Sequence, residues 1–260
     1  MKYIHQLLIC LLPTICYGQD TTVSEPWTDP INLWKSYDLP NPKLVHIFNS
    51  EPDDWTVFMK GNEVWVTDRF ETPADILSFT VKQDLKNGFF VRNPKTIQKV
   101  EDGFLVAYNA GEWGGRIDWF SKNGKQKYTI SRHQVETFLT RNHKLYAIQG
   151  LAHLSMSKGS IIEIKKVNEK WQAVEYLKLP YAPEAAAVDK HNNFIIITSN
   201  NMVKVDEKAR MTVLIEDGFW AYYLYPSSAV IKENMLYIGM RKGVLKYDLK
   251  NGSKEWLLPK

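Results

Sequence analysis

The sequence contains Phe194-Ile195-Ile196, a short apolar run with four counterparts along the chain. The counterparts are Val64-Trp65-Val66, Phe104-Leu105-Val106, Leu145-Tyr146-Ala147 and Leu236-Tyr237-Ile238. The five runs begin at positions 64, 104, 145, 194 and 236, so they are 40, 41, 49 and 42 residues apart. A repeat of this length built on short strands is typical of a β-propeller. Because one four-stranded sheet cannot bury both of its faces alone, we expect successive sheets to stack around an axis.

Each repeat divides into four predicted strands, which we name A to D from the axis outward. Tight polar turns such as Lys60-Gly61-Asn62 lie between A and B, and turns such as Lys122-Asn123-Gly124 lie between C and D. We expect longer connections between B and C and between D and the next A. Both emerge on one side of the disc, which we name the long-loop face. The sequence therefore predicts an all-β fold with one propeller of five four-stranded blades, or six if residues 31 to 52 supply further strands.

The propeller is predicted to occupy residues 56–260, after an N-terminal arm and closure segment at 19–55. Prolines at positions 26, 30, 40 and 42 are expected to prevent regular strands in the arm. The arm is expected to pack across the closing seam of the ring through Trp27 and Trp34. The strands predicted for the first blade are Thr56 to Lys60, Glu63 to Thr67, Ile76 to Val81 and Phe89 to Arg92.

Residues 1–18 are expected to form a secretory signal peptide. Lys2 precedes a short apolar stretch, and Cys16-Tyr17-Gly18 ends it with small residues at the positions that signal peptidase reads. The stretch is too short to span a bilayer. Cleavage would remove both cysteines, Cys10 and Cys16, so no disulfide is expected. We expect a periplasmic or secreted protein with no stable membrane insertion after cleavage; an uncleaved or lipidated form is the alternative.

The charge pattern narrows the classes of partner. The formal net charge is +4, and basic residues are interleaved with acidic ones along the chain. A nucleic-acid partner requires a basic stripe, so none is expected. The histidine spacing does not suit a transition metal, and phosphate-loop and dinucleotide fingerprints are absent, so we expect no metal site and no cofactor. Peptides, glycans and proteins remain as partners.

The fourth repeat carries a resemblance to known propellers. It runs from Pro183-Glu184-Ala185-Ala186-Ala187-Val188-Asp189 through Phe194-Ile195-Ile196-Ile197 to Val203-Lys204-Val205-Asp206. This stretch resembles the repeats of NHL and SMP-30-type propellers, and Val244-Leu245-Lys246-Tyr247-Asp248 in the fifth repeat looks similar. The resemblance covers residues 56–258 loosely and implies a propeller of that superfamily. It implies no activity, because such repeats serve enzymes, sensors and scaffolds alike.

Two unusual segments are predicted to share the long-loop face. Gly111-Glu112-Trp113-Gly114-Gly115 surrounds a carboxylate and an indole with glycines, which allow a close approach to a ligand. The segment 218–226 supplies Trp220, Tyr222, Tyr223 and Tyr225, and clustered aromatic rings bind sugars, peptides and flat rings. Packing of these rings between blades is the alternative in both segments.

Four further residues complete the predicted ligand-binding site. Arg69 and Arg241 could clamp a carboxylate or phosphate of a ligand. Glu184 begins a predicted innermost strand. His153 lies in a mainly apolar stretch, where a hydrogen-bonded structural role is the alternative.

The favoured function is non-catalytic binding of a peptide, glycan or protein on the long-loop face. A propeller glycosidase would need two or three carboxylates at the channel mouth, for which Glu112, Glu184 and Asp68 are candidates. A lactonase of the SMP-30 type would need a metal held by acidic and asparagine side chains, and Glu184 with Asn200 or Asn201 could contribute. A structural or inhibitor-like periplasmic protein, with its aromatic rings buried, is a further alternative.

The signal-peptide assignment predicts the N-terminus of the exported chain. Cleavage after Gly18 should leave Gln19, or a residue close to it, as the first residue of the mature protein. N-terminal sequencing of protein purified from the producing cells measures this directly. A chain that still begins at Met1 would contradict the prediction.

Overall fold

The computed structural model describes residues 28–41, 43, 54–68, 77–81 and 95–260. Two 3-10 turns, Ile31–Leu33 and Gly111–Trp113, are the helical elements of this part of the chain, and no helix in it is long and apolar enough to cross a membrane. The strands are β1 (Thr28–Pro30), β2 (Lys35–Tyr37), β3 (Thr56–Lys60), β4 (Glu63–Thr67), β5 (Thr96–Val100), β6 (Gly103–Asn109), β7 (Gly115–Ser121), β8 (Lys127–Ser131), β9 (Val135–Arg141), β10 (Lys144–His153), β11 (Met156–Val167), β12 (Lys170–Leu179), β13 (Pro183–Val188), β14 (Phe194–Thr198), β15 (Met202–Val205), β16 (Met211–Ile215), β17 (Ser228–Lys232), β18 (Met235–Met240), β19 (Gly243–Asp248) and β20 (Lys254–Leu258).

The strands form five antiparallel sheets, so the prediction of a five-bladed all-β propeller is confirmed. Blades 2 to 5 are the sheets β5–β8, β9–β12, β13–β16 and β17–β20, each with its strands in chain order. Blade 1 contains β3 and β4. The first strands of successive blades contact one another, β5 with β9, β9 with β13, β13 with β17 and β17 with β3. These A strands therefore surround the axis.

The second strand of each blade explains the apolar runs. In β14, Phe194 and Ile196 belong to the apolar cluster between blades 3 and 4, whereas Ile195 and Ile197 belong to the cluster between blades 4 and 5. Side chains alternate across a strand, so a strand with both faces buried must be apolar at every position. Leu105 and Val106 in β6 divide in the same way between the two faces of blade 2.

The N-terminal arm contributes strands, so the expectation that its prolines would exclude them is wrong. β1 pairs with β4 and takes the third position of blade 1, and β2 pairs with β20 as a fifth strand of blade 5. Pro30 is tolerated because it is the last residue of a three-residue edge strand. Two existing blades are thereby extended, and the alternative of a sixth blade does not arise among the described residues.

The arm also displaces part of the predicted first blade. Residues 77–81 lie outside any strand, and Leu77, Phe79 and Val81 pack on the face of blade 2 that carries Phe104 and Phe120. Ile76 and the predicted strand Phe89 to Arg92 fall outside the described residues.

The connection between the B and C strands of blade 3 differs from the predicted long loop. β10 and β11 continue as a hairpin that turns at Leu154 and Ser155. Gly150 and Gly159 face each other in this hairpin, and a Cβ atom on either would lie within 2.7 Å of the Pro183 ring. The two glycines therefore let the hairpin cross the start of blade 4.

Trp34 packs at the seam between blades 5 and 1. It is 7% exposed and lies in one apolar cluster with Val57, Val244 and Leu257. Its ring meets that of Trp55 edge to face, with the centroids 5.0 Å apart. The predicted packing of Trp34 across the seam is thus confirmed, whereas Trp27 falls outside the described residues.

Removal of the Trp34 ring should weaken closure of the propeller. We expect Trp34→Ala to lower the free energy of unfolding by about 3–5 kcal/mol, because it leaves a cavity between two blades. Leu33→Ala is the matched control, since the neighbouring side chain is 43% exposed and its loss should cost less than about 0.5 kcal/mol. Urea unfolding followed by tryptophan fluorescence measures both; equal effects would contradict a closure role for Trp34.

Candidate functional site

Four polar side chains lie where the innermost strands begin, at the end of the axis that opens on the long-loop face. Lys95 directly precedes β5, Thr56 begins β3, and Glu136 and Glu184 are the second residues of β9 and β13. The register shifts at both glutamates: Glu136 has no partner opposite it on β10, and Glu184 has none on β14. Such bulges redirect a side chain away from the regular alternation. We name this group the channel mouth.

Glu136 is held by two side chains of blade 2. Its Oε2 lies 3.0 Å from the Lys95 ammonium, and its Oε1 accepts a hydrogen bond of 2.5 Å from the Asn109 side-chain amide. Burial raises the pKa of the Glu136 carboxyl, and the contacts with Lys95 and Asn109 oppose that rise. The hydrogen-bonding needs of this carboxyl are thus met from within the protein.

Glu184 is in a different position. Its Oε2 is buried and has no hydrogen-bond partner among the described residues. Burial, together with the charge of Glu136, raises the pKa of the Glu184 carboxyl to about 8, while Lys95 acts in the opposite direction. At neutral pH this carboxyl is therefore mostly protonated, and it can donate one hydrogen bond as well as accept others.

A second buried oxygen at the channel mouth also lacks a partner among the described residues. It is the hydroxyl Oγ1 of Thr56, on the strand that begins blade 1. The next residue, Val57, donates its backbone N–H to Ser228 Oγ at 2.8 Å, which joins the starts of blades 1 and 5. Because buried polar groups usually have a partner, two such oxygens at one end of the axis suggest a place for a polar ligand group.

The glycine-rich segment of blade 2 lies on the same face and contacts blade 3. Glu112 Oε2 is 2.7 Å from His153 Nε2, so these two predicted site residues are brought together. The Gln134 side chain donates a hydrogen bond to the Gly111 carbonyl. These contacts hold the segment in place while the Trp113 side chain remains 79% exposed. Trp113 therefore lies on the surface and not between blades.

The aromatic segment of residues 218–226 divides into buried and exposed rings. Trp220 is 1% exposed, lies in the cluster between blades 4 and 5, and donates its indole N–H to the Thr198 carbonyl at 2.9 Å. Trp220 therefore packs between blades, which is the alternative to ligand binding given for this segment. Tyr223 is partly buried against the same cluster, whereas Tyr222 and Tyr225 are exposed. Both exposed tyrosines have positive φ, of 72° and 41°, which is unusual for bulky residues.

Arg241 is engaged within the protein. Its Nε lies 3.1 Å from Asp54 Oδ1, and its guanidinium carbon is 4.7 Å from the centre of the Tyr225 ring. These contacts join blade 5 to the segment before β3 and support the position of Tyr225. The other predicted clamp residue, Arg69, falls outside the described residues.

Sequence reasoning identified Glu184 but missed Glu136, Lys95 and Asn109. It grouped Glu184 with Glu112, which instead pairs with His153. An alignment of the repeats would have pointed to Glu136, because Val135-Glu136 and Pro183-Glu184 both begin an A strand. In the part of the chain that the structure describes, no group of three histidine, cysteine or acidic residues could hold a metal ion.

No family model and no curated protein matches the sequence. Solved structures match distantly. A gluconolactonase from Xanthomonas campestris is 10% identical, with a TM-score of 0.43 over 65% of this chain and 57% of that one. The extracellular domain of a putative one-component system from B. thetaiotaomicron is 10% identical, with a TM-score of 0.49 over 87% of this chain and 29% of that one. A catalytically inactive virginiamycin B lyase from Staphylococcus aureus, solved with quinupristin, is 12% identical, with a TM-score of 0.45 over 86% of this chain and 73% of that one.

The chain spans less than two thirds of the first two of these proteins. A propeller fold does not specify an activity, so the function has to be argued from the residues at the channel mouth and elsewhere on the long-loop face.

The two tryptophans of the predicted site should respond in opposite ways to truncation. Trp220→Ala should lower the free energy of unfolding by about 3–5 kcal/mol, because loss of the ring leaves a cavity at the interface between two blades. Trp113→Ala should change it by less than about 0.5 kcal/mol, because the ring is exposed. Calorimetric melting of both variants tests this; a destabilised Trp113→Ala variant would place that ring in the core.

Proposed function

We propose that this chain is an exported binding protein that recognises a peptide, glycan or protein partner on its long-loop face. The observation that carries the proposal is the buried Oε2 of Glu184 at the channel mouth, which has no hydrogen-bond partner in the part of the chain that the structure describes. A buried polar atom without a partner costs about 1–3 kcal/mol. A ligand group that donates a hydrogen bond to this atom would recover that cost, so the site favours occupation.

The exposed rings of the long-loop face support the same function. Trp113 and Tyr222 are 79% and 74% exposed, so their faces are accessible to a ligand. Rings of this kind supply large contact areas with little loss of conformational freedom, and they are enriched at binding hot spots. The contact of Glu112 with His153 holds the backbone beside Trp113, so that ring is presented on a positioned segment.

Hydrolysis is the second candidate function, and the two glutamates favour it. Glu184 has a pKa raised to about 8 and carries a proton at neutral pH, whereas Glu136 has a lysine at 3.0 Å. Two carboxyl groups in unlike environments can divide the roles of general acid and base. Release of a product that is lost in Glu184→Gln would support this candidate, while binding without turnover supports the first.

The binding proposal predicts a ligand that depends on both the channel mouth and the exposed rings. The purified mature chain should retain a ligand on arrays of glycans or peptides, and titration calorimetry should give its affinity. Glu184→Gln and Trp113→Ala should each weaken binding by about 1–3 kcal/mol, as the loss of an anchor does.

Tyr37→Ala is the control for these variants, because Tyr37 is an exposed ring on β2, at the outer edge of blade 5. It should bind the ligand as the unaltered chain does, and circular dichroism should show that all three variants are folded. Arrays without a retained ligand, or a ligand that binds Glu184→Gln and Trp113→Ala unchanged, would rule out recognition by this face.

A further inference from the structure

We infer that the channel mouth receives the ammonium group of a lysine side chain, with Glu184 as its partner. The inference rests on the proposed binding function and names the ligand chemistry at that site. It follows from the balance of charges, from the burial of the Glu184 oxygen and from Thr56 Oγ1, a second buried oxygen without a partner among the described residues.

Once Glu184 ionises, the charge balance leaves it as the carboxylate without its own cation at the channel mouth. Two carboxyl groups, from the adjacent A strands β9 and β13, meet one ammonium at the channel mouth. That ammonium, on Lys95, is committed to Glu136 at 3.0 Å, and Asn109 donates to the other oxygen of the same carboxyl. A second ammonium, supplied by a ligand, would give each glutamate its own cation.

The number of acceptors also suits an ammonium. This group has three N–H donors and no acceptor, so it is satisfied by several oxygens. Glu184 Oε2 and Thr56 Oγ1 are both buried acceptors without a partner among the described residues, and both lie where an A strand begins. A ligand that carries only acceptors would leave the Glu184 carboxylate unsatisfied once it has ionised.

The burial of Glu184 Oε2 favours a flexible chain over a ring, because the ligand nitrogen has to reach an atom that solvent does not contact. A lysine carries its ammonium on a slender four-carbon stem, which can approach a buried atom with little displacement of its surroundings. An amino sugar carries its nitrogen directly on the ring, so the ring itself would have to approach. The inference therefore concerns a peptide or protein ligand, and an amino sugar is an outcome of the test.

Affinity for an ammonium should depend on pH. The charged groups that face Glu184 are Glu136 on β9 and Lys95 before β5, and with burial they place its pKa at about 8. Below that pH a proton competes with the ligand for the carboxylate, whereas the lysine ammonium, with an ordinary pKa of about 10.4, stays charged throughout. Binding should therefore strengthen as the pH rises from 6 to 9, by up to about tenfold per unit below the pKa.

The probe is the blocked tripeptide acetyl-Gly-Lys-Gly-amide, titrated into the intact chain and followed by calorimetry at pH 6 and at pH 9. The control probe replaces lysine by norleucine, which keeps the alkyl stem and removes the charge. We expect the lysine probe to bind at least about tenfold more tightly than the norleucine probe at pH 9, and to lose at least that much affinity at pH 6.

Two variants separate the site from the general charge of the face. Glu184→Gln should remove both the preference for lysine and its pH dependence. Glu216→Gln removes the same charge from an exposed position on the same face and should keep both. The comparison of pH 6 with pH 9 on the unaltered chain needs no variant, so it tests the ammonium assignment even if Glu184→Gln fails to fold.

The outcomes distinguish this inference from the proposed function. Equal binding of the two probes, or an affinity that does not rise with pH, would overturn the ammonium assignment. Glucosamine that binds as tightly as the lysine probe would overturn the assignment to a side chain of a peptide. In each of these cases, a ligand whose binding is still weakened by Trp113→Ala and Glu184→Gln would leave the binding function standing.

Discussion

Burial of both faces of every sheet is the constraint on which this structure depends. The B strands show it most directly, since neighbouring residues such as Ile195 and Ile196 belong to different interfaces. Each blade is therefore stabilised by two neighbours, and no apolar face would be covered in an isolated blade. This coupling forces the blades into a ring, because an open row would leave one apolar face exposed at each end.

A ring built from one chain has a seam where its first and last blades meet. The N-terminal arm packs across this seam. β1 extends blade 1, β2 extends blade 5, and Trp34 lies between them in the cluster with Val57 and Leu257. On the long-loop face the seam is joined again by Arg241 and Asp54. Closure also places the strand that begins with Thr56 against β17 of blade 5, and β17 in turn contacts β13, which carries Glu184.

The sequence predicts the parts of the fold that repeat. Residues such as Phe194 and Leu105 mark the B strands because burial on both faces requires an apolar side chain at every position. The strands of the arm could not be predicted, since β1 and β2 are three residues each and exist only because blades 1 and 5 offer them an edge. The β10–β11 hairpin was also missed, because Gly150 and Gly159 allow a close contact with Pro183 that the sequence alone does not reveal.

The site was less predictable than the fold for a related reason. Exposed rings such as Trp113 and buried ones such as Trp220 look alike in sequence, and only the blade interfaces separate them. Glu136 and Glu184 occupy equivalent positions in consecutive blades, yet the first has Lys95 beside it and the second has an oxygen with no partner among the described residues. A buried carboxyl oxygen without a partner opposes folding. The residue type alone gives no sign of this difference, because it depends on whether a lysine of the neighbouring blade reaches the carboxyl.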